Sequence, residues 1–211
     1  MENNYESTKD NILYQSLTLF SEKGYEGVSM RDIAQAVGIK AASLYNHFKN
    51  KEDIFNSIIN EAASRYEKAV VKMQVPHGNV SQVADEYMHT TQDDFGVIAE
   101  NIFLYYLKDD FASKYRRMIT MEQFRSHLAG NVYQKYFIDA AIDFGTSLFE
   151  NMINQGAFID CDPYVMALHF YSPMFLLLSK YDYQPEKEEE ALCVLKKLVK
   201  QFTSIYEKRR S

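Results

Sequence analysis

Between Gly38 and Phe55 the chain reads GIKAASLYNHFKNKEDIF, in which two alanines precede a serine, a tyrosine and a histidine. That order suits contact with a DNA duplex. Ala41 and Ala42 would let a helix come close to base edges and touch thymine methyls. Ser43, Tyr45 and His47 supply hydroxyl and imidazole groups, while Leu44 and Phe48 can anchor the helix from behind. Lys51, opening the next helix, stands where a phosphate could meet both its charge and a helix N-terminus. Taken singly, Tyr45 or His47 reads as an ordinary surface residue. The combination with a turn, caps and local charge points to a nucleic-acid contact.

The elements that must position these groups are helices. The 211 residues show no sustained alternation of apolar and polar positions, and the eight glycines and four prolines fall mostly between helical stretches. In TKDNILYQSLTLFSEKG, Ile12, Leu13, Leu17 and Phe20 recur at helical spacing between a Ser7/Thr8 start and a Gly24 stop. Ser29 and Asp32 form a capping-box pattern for a second helix, of about two turns, which Gly38 ends. The third helix is predicted from Ala41 to Phe48, and a fourth opens at Asn50 with Ile54, Phe55, Ile58, Ile59 and Ala62 as its apolar stripe. The second and third, separated by a tight turn, make a helix-turn-helix pattern.

The segment QVPHGNVSQ has linker composition and suggests a boundary near it. Further amphipathic helices are predicted at about 81–93, 95–107, 111–129, 133–155, 163–181 and 187–208. Pro163 suits a first turn, Gly156 a helix exit, and Pro173 interrupts an otherwise apolar helix. The expected fold is therefore all-α: an N-terminal three-helix helix-turn-helix DNA-binding domain over 1–50, a connecting helix at 51–73, and a second helical domain over 74–211, to which the resemblance described below assigns effector binding and dimerisation.

The net charge of -6 argues against a surface wholly committed to nucleic acid, but the charges from Arg31 to Lys51 sum to +3. Cys161 and Cys193 lie far apart without a CxxC or Cys/His cluster and read as buried small hydrophobes. No metal and no cofactor is expected, since His89 and Asp93 at i, i+4 lack a third ligand. With no GxSxG, HExxH or GxGxxG, an enzyme is not expected. DFG occurs at Asp94 and at Asp143, but without a Gly-rich loop or HRD segment both are chance matches. Neither a signal peptide nor a membrane span is evident, so a cytoplasmic location is expected.

The run VSMRDIAQAVGIKAASLYNHFKNKEDIF resembles the signature of the TetR family of bacterial transcriptional regulators, with I-A-x-x-x-G-I, S-L-Y-x-H-F and N-K-x-D in order and without gaps. The resemblance covers Ile12 to Ile59, about a quarter of the chain. It implies that Ser29 and Arg31 contact phosphates, that Lys40, Ala41 and Ser43 occupy the base-reading first turn beside Ala42, and that Tyr45, His47 and Lys51 make further contacts. It also implies a small-molecule effector in the variable second domain and a homodimer through the last two helices, 163–181 and 187–206, on a palindromic operator. A repressor is favoured over an activator.

Candidate effector residues among the aromatics and methionines of the second domain are Phe103, Tyr106, Phe124, Tyr133, Phe137, Phe144, Met166 and Phe170, an excess that fits an adaptable apolar cavity. Glu100 could pair with a cationic ligand. Leu177 is expected on the pairing face. The competing possibility is a helical protein-interaction module that uses its helix-turn-helix as scaffold and does not bind DNA. Salt-dependent DNA binding separates the two.

Overall fold

A computed structural model describes residues 7–73, 80–88 and 92–208, which are helical almost throughout. Helix α1 (Thr8–Lys23) begins at Ser7, whose hydroxyl accepts the Asp10 N–H, and ends at Gly24, where φ is 73°. Helix α2 (Met30–Val37) has the full capping box, and Gly38 leaves it in the left-handed conformation at φ 79°. Helix α3 is only Ala41–Leu44. The helix predicted to reach Phe48 instead tightens into turns, with Asn46 N–H on the Ser43 carbonyl at 3.2 Å and His47 N–H on the Leu44 carbonyl at 3.0 Å. Helix α4 (Lys51–Lys72) is capped by Asn50, which accepts the Asp53 N–H at 2.8 Å.

Beyond it come α5 (Val80–Met88), α6 (Gln92–Lys108), α7 (Asp110–Glu122) and α8 (His127–Val132). The single helix expected over 111–129 is broken after Glu122, and Ser126 caps α8 by accepting the Ala129 N–H. A π-helical stretch, Tyr133–Asp139, leads from α8 into α9 (Ala140–Asn154). At the end of α9, Gly156 at φ 79° and the Ala157 N–H on the Met152 carbonyl form a Schellman exit. Helix α10 (Pro163–Tyr181) is capped by Asp162 and runs through Pro173; a 3₁₀ turn, Pro185–Lys187, precedes α11 (Glu188–Tyr206). The isolated bridge between Phe158 and Glu207 holds the tail of α11 to the loop after α9.

The chain divides into two compact units, 1–67 with 110–133, and 68–109 with 134–211. This departs from the division expected at residue 74. The segment carrying α7 and α8 folds with the helix-turn-helix, because α7 buries Phe111, Tyr115, Met118 and Ile119 and packs on α1. Polar ties add to that packing: Lys114 donates to the Tyr14 hydroxyl at 2.6 Å and pairs with Asp110 at 2.9 Å, and the Arg65 guanidinium lies 4.3 Å from the Phe111 ring centre.

In the second unit, Phe103 of α6, Phe149 and Met152 of α9, Met166 and Met174 of α10, and Leu195 and Phe202 of α11 share one core. Leu177 belongs to this core at 6% exposure, whereas its neighbour Leu176 is 69% exposed. The pairing-face expectation for Leu177 is thus corrected. On α10 the exposed residues Val165, His169, Ser172 and Leu176 recur at i, i+4, i+7 and i+11, one stripe along the helix. Cys161 is half-buried and Cys193 exposed, both free, so neither is the fully buried residue predicted. Burial and the neighbouring Asp160 and Asp162 push the Cys161 thiol above its usual range. Of the linker proposed at 74–82, residues 80–82 open α5 instead; residues 74–79, the His89–Asp93 pair and the C-terminal Arg209 and Arg210 lie outside the described residues or side chains.

Candidate nucleic-acid interface

The interface is built from α2, the turn at Gly38–Lys40, α3 and the turn after it. Ile33, Ala34, Leu44 and Phe48 are buried and hold these pieces on the first unit. Opposite them, Arg31, Lys40, Ala42, Tyr45 and His47 are exposed, while Ala41 and Ser43 are half-exposed. Tyr45 presents 55% of its surface on this side.

Ser29 is exposed at the N-terminus of α2, but its hydroxyl proton points to Asp32 at 2.6 Å and its backbone N–H to the same carboxylate at 2.8 Å. The Ser29 hydroxyl and N–H hold the Asp32 carboxyl below its ordinary value. The box thus spends the Ser29 proton on fixing α2, and the first-turn N–H groups beside it are what this helix end can offer an anion.

Lys51 departs from expectation. Its ammonium donates to the carbonyls of Tyr25 at 2.7 Å and Val28 at 2.9 Å and stands 4.0 Å from the centre of the Tyr25 ring. Two of its three donors are therefore engaged within the domain, tying the loop between α1 and α2 to the start of α4. Tyr25 in turn stacks edge-on to Phe55 at 5.2 Å and contacts Phe20 at 5.4 Å. Burial, with Glu52, Glu26 and Glu122, raises the pKa of its phenol above the usual value. Its backbone N–H donates to Glu122 of α7 at 2.9 Å, a residue that nothing in the sequence pattern singled out.

The predicted effector residues do not all gather. Phe103 and Met166 lie in the core of the second unit, with Tyr106, Phe144 and Phe170 packed against it; Phe137 contacts Tyr106 with ring centres 5.8 Å apart. Phe124 and Tyr133 fall in the first unit instead. Phe124 is 91% exposed on the turn between α7 and α8, because the break after Glu122 lifts it off the packed face of α7. Glu100 is met by Lys196 at 3.4 Å rather than left for a ligand. A small cavity of about 100 Å³ opens between α10 and α11 against Phe170, Pro173, Met174, Leu198 and Phe202, with His169 and Gln201 as polar lining. Of the eight predicted residues, Phe170 alone lines it.

Among the described residues no group of three or more His, Cys, Asp or Glu side chains comes together as a metal site. No helix among them is long and apolar enough to cross a membrane.

Residues 12–58, which run from within α1 through α2 and α3 to the first turns of α4, match the family of bacterial regulatory proteins named for TetR. Over that segment the chain is similar to the TetR family.

This chain is 51% identical over 51 residues to the biofilm operon icaADBC HTH-type negative transcriptional regulator IcaR of Staphylococcus epidermidis, a stretch covering 24% of this chain and 28% of the relative. It is 29% identical over 126 residues to IcaR of Staphylococcus aureus, covering 59% of each. The match thus spans well under two thirds of the length of these curated relatives. Solved structures share the fold over almost the whole length. A TetR-family transcriptional regulator from Mesorhizobium loti superposes with a TM-score of 0.69 at 19% identity, over 95% of this chain and 97% of its own. SmeT, the repressor of the Stenotrophomonas maltophilia multidrug efflux pump SmeDEF, superposes in its triclosan complex with a TM-score of 0.64 at 18% identity, over 95% and 92%.

Proposed function

We propose that the chain is a homodimeric repressor that binds a palindromic operator and is released by a small, largely apolar molecule. The observation that carries the DNA contact is the exposed set Arg31, Lys40, Ala42, Tyr45 and His47, presented by α2, α3 and the turns flanking α3, which buried Ile33, Leu44 and Phe48 hold from behind. The relatives support the direction of control, since IcaR is a negative regulator and SmeT a repressor found with triclosan bound. For release, the effector must bind the DNA-free and DNA-bound states unequally. Its candidate contacts in the second unit are Phe103, Tyr106, Phe137, Phe144, Met166 and Phe170.

Two copies pairing through α10 and α11 would cover the exposed Val165–Leu176 stripe, and a two-fold dimer reads a palindrome because its half-sites share its symmetry. The decisive experiment is binding of the full chain to a duplex recovered from a random pool, titrated with salt. Affinity should fall steeply as salt rises. Replacing Tyr45 and His47 together with alanine should weaken binding by at least about tenfold without lowering the melting temperature. Unchanged affinity in that double variant would move the interface elsewhere.

A further inference from the structure

The loop from Gly24 to Val28 joins α1 to α2 and delivers the chain to Ser29, so its position decides where Ser29 and Arg31 stand. It is held from two sides at the same residue. Lys51 takes the Tyr25 carbonyl at 2.7 Å, and Glu122 takes the Tyr25 N–H at 2.9 Å. Glu122 lies 97 positions away in the sequence and is 2% exposed. Arg125 pairs with it at 3.6 Å but is largely in solvent. A carboxylate buried to that degree is costly to keep unless a charge-assisted hydrogen bond uses it. Gly24 fits against the same oxygen: a Cβ there would stand 3.1 Å from Glu122 Oε1.

We infer that Glu122 is a positioning residue for DNA binding: by accepting the Tyr25 N–H it fixes the α1–α2 loop, so that α7, outside the matched helix-turn-helix region, sets operator affinity. The inference rests on the DNA-binding role proposed above. Without the bond, the loop must be ordered when DNA binds, and affinity falls although no DNA contact is removed. The same bond makes α7 the element whose displacement loosens the loop.

The test uses the full-length protein and a duplex it selects from a random pool. Glu122→Leu removes the acceptor, and Glu122→Gln keeps an oxygen for the Tyr25 N–H. Glu122→Leu should bind about tenfold more weakly, the equivalent of ordering one loop residue. Glu122→Gln should stay within about twofold of wild type, and the salt slope should be unchanged in both because no phosphate contact is lost. Exchange of the Tyr25 amide should quicken in the Leu variant alone. If denaturant melts show Glu122→Leu unfolded, Glu122→Asn, whose shorter side chain withdraws the oxygen, replaces it with the same expectation. Wild-type affinity in the Leu or Asn variant, or a Gln variant as weak as Leu, overturns the positioning role while leaving the DNA-binding reading in place. A wild-type protein that recovers no duplex overturns both.

Discussion

Ser29 and Asp32 show how much of the interface was written in residue types. A serine followed three positions later by an acid is a pattern of short-range hydrogen bonding, and all three bonds of the box form as that pattern requires. Ser29→Ala should cost about 1 kcal/mol in a denaturant melt at neutral pH. Asp32→Ala should also destabilise, with a pH dependence that identifies the cause. Because hydrogen bonds with Ser29 lower the folded pKa of Asp32 from 3.8, its contribution is complete above the unfolded value and disappears as pH falls through the folded one. Melts of wild type and Asp32→Ala should therefore differ at pH 7 and converge at strongly acidic pH. Lys51 was legible as a helix-opening cation but not as an internal tie, since its carbonyl partners sit 23 and 26 positions away.

At the scale of elements, caps and stops were readable and lengths were not. Ser7, Gly24, Ser29, Gly38, Asn50, Gly156 and Pro163 act where their chemistry puts them. The brevity of α3 and the π-helical stretch have no such markers, because each is a compromise between an apolar pattern that continues and packing that does not, whereas the break after Glu122 is marked by the Ser126 cap, which the continuing apolar pattern masks in the sequence. Contact between helices was equally hidden. Gly145 carries no turn and no positive φ; it lies where α9 meets α10, and a Cβ there would come within 2.6 Å of the Tyr171 ring and 3.3 Å of the Ala167 methyl. Gly145→Ala should accordingly destabilise by roughly 1–3 kcal/mol through overpacking, although alanine is the better helix former. A rise in melting temperature would show that Tyr171 yields without cost.

For the whole molecule, adjacent leucines on α10 have opposite fates and separate folding from pairing. Leu177→Ala should lower stability by about 2–5 kcal/mol, as expected for truncation in a packed core. Leu176→Asp should leave the melt of the protomer nearly unchanged and shift the sedimentation profile from dimer to monomer. A dimer that survives Leu176→Asp would remove that stripe from the pairing surface. The sequence pattern placed both residues on an apolar helix without telling its inner face from its outer one, since nearly every position of that helix is apolar.

The sequence by itself determined the helical class, the starts and stops of the first helices and the exposed polar set of the helix-turn-helix, all of which depend on neighbours within one or two turns. Tertiary structure alone decided that residues 110–133 fold with that domain, that Phe124 faces solvent, and that Tyr25 is gripped by Glu122 and Lys51. Those outcomes depend on burial shared between segments up to about a hundred positions apart, and no local spacing records which distant surface a side chain will meet.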